Sequence, residues 1–115
     1  MTTIRFALLR HGVTDWNAEK LLQGRSDISL RAETVQVYRN YRLPADWQNV
    51  PWFCTPLSRT RETADALSIS PISVENALIE MDWGQWEGRR LPELRSELGD
   101  AMRVNEDRGD RKSVV

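Results

Sequence analysis

The sequence predicts an α/β fold, a largely parallel sheet flanked by helices in three layers. Three observations carry this. Short apolar runs at residues 4–9 and 52–54 each stop at a turn signal. A helix-like pattern follows each run. The resulting strand, helix, strand, helix order favours parallel pairing over hairpins.

Ile4 to Leu9 is apolar on both sides and ends at Arg10-His11-Gly12, so it reads as a buried strand. Val13 to Leu22 places Trp16, Ala18 and Leu22 at loosely helical spacing, and Gln23-Gly24-Arg25-Ser26-Asp27 reads as a polar loop. Leu30 to Tyr41 predicts a helix entered near Ser29. Val35 and Tyr38 lie on its apolar side, and Arg31, Glu33, Gln36 and Arg39 face water. Pro44 and Pro51 bracket a connector that contains Trp47. Trp52-Phe53-Cys54 centres a second buried strand. At Thr55-Pro56 a helix begins, because threonine can accept from a free N–H and proline has none to lose. That helix runs to about Leu67, with Leu57, Ala64 and Leu67 as its apolar face. Ile72 to Val74 predicts a weak third strand. A loop then passes through Gly84 and Gly88, and Leu91 to Leu98 forms a short helix. The organisation is one domain over 1–102 and a charged tail over 103–115, which has too little apolar surface to offset its ordering entropy.

Composition narrows the function classes. Sixteen basic and 17 acidic side chains leave a net charge of −1. No bulk charge therefore favours nucleic acid or an anionic membrane, and a phosphate site must come from a few placed arginines. The single cysteine, Cys54, allows no internal disulfide. No apolar run reaches the length of a membrane span, so a cytoplasmic protein is expected.

Three segments carry candidate chemistry. Arg10-His11-Gly12 follows a strand, where α/β sheets place their ligand crevices. Gly12 lets the backbone approach an anion, Arg10 supplies a fork of donors, and neutral imidazole is a competent nucleophile. By itself this tripeptide is a weak signal. Arg59 lies in the first turns of the helix after Thr55-Pro56, where free N–H groups favour anions. The plain alternative is a solvated arginine. The run from Glu80 to Gly88 sets acids beside Trp83 and Trp86, and apolar surroundings suit a proton donor. Composition does not choose among Glu80, Asp82 and Glu87.

Together the segments are far more specific. Arg10-His11-Gly12 with Thr14 and Asn17 resembles the RHGxTxxN signature of the histidine phosphatase superfamily, the phosphoglycerate-mutase-like enzymes. Leu22-Gln23-Gly24 to Leu30, Thr55-Pro56-Leu57-Ser58-Arg59 with Thr63-Ala64, and Glu80 to Gly88 are similar to its later elements in order and spacing. The resemblance implies that His11 becomes a phosphohistidine. Arg10 and Arg59 would hold phosphoryl oxygens, and Glu80 would be the general acid. Asn17, Gln23 and Gly24 would line the substrate side. It also implies a small phosphorylated metabolite as substrate, with no metal and no cofactor.

The family carries a second catalytic histidine in its C-terminal half, whereas this sequence has one histidine, His11. The sheet is therefore expected to be incomplete, with the chain a truncated or frame-shifted part of the domain. A phosphomonoesterase is the leading expectation, because the stretch from Arg59 to Glu80 is short. A mutase-type phosphotransferase, or an inactive remnant that binds phosphate, are the alternatives.

Overall fold

The computed structural model describes residues 3–99. Helix α1 spans Asp15–Ala18. Thr14 caps it by accepting from the Asn17 N–H, and the Asn17 side chain reaches back to the Thr14 N–H. This reciprocal pairing is a capping box. Helix α2 spans Ala32–Arg39, starting two residues later than the expected Leu30. Leu30 is held extended by a bridge to Thr14, and Arg31 N donates to the Val13 carbonyl at 3.0 Å, so helical geometry starts only afterwards. Val35 and Tyr38 are half-buried, and Arg31, Glu33, Gln36 and Arg39 are exposed. Pro44 leads into a 3-10 turn over Ala45–Trp47.

Strand β1 is Phe53–Cys54 and β2 is Ser73–Val74. They pair in parallel, with Phe53 opposite Ser73 and Cys54 opposite Val74. Helix α3, Ser58–Ala66, makes the crossover between them and packs against α2. The α/β class is thus realised as a small parallel sheet with helices against it. Thr55 does not cap α3. Its hydroxyl accepts from Leu57 N at 3.3 Å and pairs with Thr60. The first helical N–H, on Ser58, goes instead to Asp27 at 2.6 Å, and the Ser58 hydroxyl donates to the other Asp27 oxygen at 2.9 Å. That cap comes from 31 residues upstream, out of reach of local sequence reasoning.

Residues 4–9 differ from expectation. They form no strand, and Ile4, Phe6 and Leu8 are 73, 83 and 99% exposed. A strand buried on both faces needs neighbours on both edges. Among the described residues, the two strands pair only with each other.

Among the described residues, two apolar clusters hold the fold. Ala64, Leu67 and Ile69 gather Tyr38, Leu43 and Trp52. Leu22, Trp83 and Leu94 gather Met81, Trp86, Leu91 and Leu98. The second cluster joins the 3-10 turn at Gly84–Trp86 to helix α4, which spans Leu91–Leu98 as its leucine spacing predicts. Leu22 and the 88–89 backbone exchange hydrogen bonds at 2.8 Å, which brings Gln23 beside the segment that begins at Glu80. The tail at 103–115 lies outside the described residues, as does the boundary at 102. Among the described residues, no helix is long and apolar enough to cross a membrane.

Candidate active site

Arg10, His11, Asn17, Gln23 and Glu80 line one cleft of about 220 Å³, together with Leu21, Leu22 and Leu91. These groups come from the Arg10–Gly12 segment, from α1 and the strand-like stretch after it, and from the loop before Trp83. Gly12 seats the first of them. Its N–H donates to the Thr63 hydroxyl at 3.0 Å, and that hydroxyl donates to the Arg59 carbonyl at 2.7 Å. A side chain at Gly12 would collide with the Thr34 methyl and press on the Tyr38 ring at 3.1 Å.

The His11 ring is half-buried, and Nδ1 lies 2.6 Å from the Gly12 carbonyl. A carbonyl only accepts, so Nδ1 carries the proton and Nε2 keeps its lone pair. Burial lowers the pKa of the ring below 6.5, and the positive charges of Arg59 and Arg10 lower it further. The Gly12 carbonyl and Glu80 oppose this. The imidazole is thus neutral, with its basic nitrogen free, near neutral pH.

Thr14 organises the polar wall. It is fully buried, and its hydroxyl lies 2.6 Å from Gln23 Oε1 and 3.0 Å from Asn17 Oδ1. Asn17 Oδ1 also accepts the Thr14 N–H at 3.0 Å. Both amide oxygens are therefore engaged, which leaves the two amide NH₂ groups as donors for a ligand. The sequence shows Thr14 only as part of a motif. Its spacing to Asn17, that of a capping box, is the signal for its bridging position.

Arg59 and Gly24 sit behind this cleft rather than lining it. Arg59 is 1% exposed. One terminal nitrogen donates to the Ser26 carbonyl at 2.7 Å and the other to the Gly24 carbonyl, while Nε is buried without a partner among the described residues. Gly24 packs where a side chain would strike the Met81 carbonyl and reach within 2.7 Å of the Trp83 ring. Glu80 lies in the cleft but is exposed, because Trp83 turns into the core and stacks on Trp86. Its backbone carbonyl accepts from Arg25 Nε at 3.0 Å. Of the other two acids, Asp82 accepts from Gly84 N at 2.9 Å. Glu87 accepts from Ser26 and Trp83. Burial pushes its pKa up, but hydrogen bonds from Ser26, Arg25 and Trp83 outweigh that and leave it lowered. Among the described residues, no group of three or more His, Cys, Asp or Glu side chains is placed to hold a metal ion.

The sequence pattern of the histidine phosphatase superfamily (branch 1) matches residues 6–113. The chain belongs to this family. Among histidine phosphatase relatives, it is 34% identical over 112 residues to the "Probable phosphoglycerate mutase GpmB" of Enterobacter sp. (strain 638), covering 94% of this chain and 48% of that protein. It is 32% identical over 104 residues to the "Uncharacterized phosphatase PhoE" of Bacillus subtilis, covering 85% of this chain and 53% of that one. The fold is similar to the crystal structure of TTHB049 from Thermus thermophilus, with a TM-score of 0.70 and 32% identity over 84% of this chain and 55% of that one. A phosphoglycerate mutase from the same organism gives a TM-score of 0.68 at 33% identity, covering 83% of this chain and 54% of its own. The chain spans about half the length of these relatives.

Proposed function

We propose that this chain serves phosphoryl transfer as a phosphomonoesterase on a small phosphorylated metabolite, through a phosphohistidine at His11. The observation that carries the reading is the free Nε2 of a neutral, half-buried imidazole in a cleft shared with Arg10, Asn17, Gln23 and Glu80. Membership of the histidine phosphatase superfamily supports it.

In this reading the Nε2 lone pair attacks phosphorus and the P–O bond to the leaving alcohol breaks. The Glu80 carboxylic acid gives its proton to the departing oxygen. Water then attacks phosphorus, Glu80 takes a proton from it, and the P–N bond breaks to release phosphate and free His11. Arg10 and the amide donors of Asn17 and Gln23 offset charge on the phosphoryl oxygens. Arg59 adds positive field from behind, and its Nε is the donor it has left. The balanced surface charge fits a small-molecule substrate rather than nucleic acid or membrane, and the single cysteine suits a cytoplasmic setting.

A mutase-type transfer is the second reading. It draws on the names of GpmB and of the Thermus thermophilus phosphoglycerate mutase. The test is hydrolysis of p-nitrophenyl phosphate by this chain and by His11→Ala, with acid-labile labelling of His11. Hydrolysis and labelling that both vanish in His11→Ala are expected, and equal rates overturn the proposal. Labelling without turnover would favour a phosphate-holding remnant. Phosphoryl exchange on phosphoglycerate without free phosphate would favour the mutase.

A further inference from the structure

The backbone from Gly24 to Ser26 runs between two opposite charges. On one side the Arg59 guanidinium donates to the Gly24 and Ser26 carbonyls. On the other, Glu87 Oε1 accepts from Ser26 N at 2.7 Å and from the Ser26 hydroxyl at 2.6 Å. The second oxygen, Oε2, accepts from Trp83 N at 3.2 Å. Trp83 is a core residue, so the carboxylate ties the loop to the core. Neither Glu87 nor Gly24 lines the cleft, yet this short segment and the residue before it serve the cleft. Gln23 lies in the cleft wall, and Arg25 Nε holds the Glu80 carbonyl.

We infer that Glu87 is a positioning residue for the proposed phosphoryl transfer: its carboxylate fixes the 23–27 loop and, through it, Gln23, Arg59 and Glu80. The inference rests on the phosphohistidine reading above. A carboxylate that accepts several N–H and O–H groups holds them by charge-assisted bonds, which are shorter and stronger than neutral ones. Removing it leaves Ser26 and Trp83 donors without acceptors. It also takes away one of the negative charges that face the Arg59 guanidinium. The loop then drifts, and a displacement of about 1 Å caused far from the chemistry can cost roughly 100-fold in rate.

The experiment compares wild type, Glu87→Gln, Glu87→Ala, Gln23→Ala and the double variant Gln23→Ala/Glu87→Gln. Readouts are p-nitrophenolate release, His11 labelling and amide hydrogen exchange at Arg25 and Ser26. Each is measured below the melting transition. We expect kcat/KM to fall about 10- to 100-fold in Glu87→Gln, with faster exchange at Ser26. Gln23→Ala is expected to cost clearly less in the Glu87→Gln background than in wild type, because its amide is already misplaced. Additive losses, or an unchanged rate beside faster exchange, overturn the inference and leave Glu87 a purely structural residue. If Glu87→Ala does not fold, Glu87→Gln decides, since it keeps the side-chain volume and one acceptor. A wild type that never labels His11 defeats the phosphohistidine reading and this inference with it. A wild type that labels normally while the variants match it overturns the inference alone.

Discussion

Protonation removes the lone pair that His11 needs, so its titration governs the proposed chemistry. Burial first, then Arg59 and Arg10, keep that titration below pH 6.5. Labelling of His11 should therefore stay level through neutral pH and fall only as pH drops beneath 6.5. A midpoint at or above that value in a pH series would contradict it. The same shift links to stability. Below pH 6.5 the unfolded chain binds this proton more readily than the folded one. Stability therefore declines as acid is added through that window, and His11→Gln should flatten the slope in denaturant titrations at successive pH values. Arg10→Ala should slow labelling about 10²- to 10³-fold, the usual loss of one charge-stabilising donor. The polar residues of the cleft wall were legible in the sequence because motif spacing fixes their chemical types, whereas Leu21 and Leu91 were not. The placement of Arg59 behind the cleft and the grip of Glu87 on Ser26 were not. Both depend on the path of a loop that meets residues some 30 and 60 positions away.

Helix α4 shows how much an element can announce itself. Leu91, Leu94 and Leu98 recur at helical spacing, a proline sits in the first turn, and Gly99 ends the run. Leu94 is wholly buried, so Leu94→Ala should cost about 2–5 kcal/mol in urea unfolding, while an exposed change such as Ser96→Ala should cost little. The start of α3 was not legible, because its cap is Asp27 from another loop. Hydrogen bonds from Ser58 hold the Asp27 carboxyl below its usual range. That contribution is present above pH 3.8 and fades as acid protonates the folded carboxylate. Asp27→Ala should lower stability by about 1 kcal/mol, as removal of a helix cap does, read from the urea midpoint at pH 7. The 4–9 run shows the reverse case. Its composition specifies burial, but no local signal says what must lie against it.

At the scale of the molecule, that run leaves Ile4, Phe6 and Leu8 in solvent, and the two-stranded sheet of the described residues keeps unpaired outer edges. Contiguous apolar surface beside free N–H and C=O groups drives association. Sedimentation velocity should find concentration-dependent oligomers, and Phe6→Lys with Leu8→Lys should shift the population towards monomer. A monodisperse wild-type monomer with a sharp melt would count against this. The bond from Gly12 N to the Thr63 hydroxyl spans 51 residues. An imidazole near the start of the chain is thus seated by a helix synthesised much later. During translation His11 emerges early but has no fixed orientation until Thr63 has left the ribosome and α3 has wound. The seated imidazole is in that sense a late product of folding, and any emerging chain shorter than this lacks the Thr63 contact.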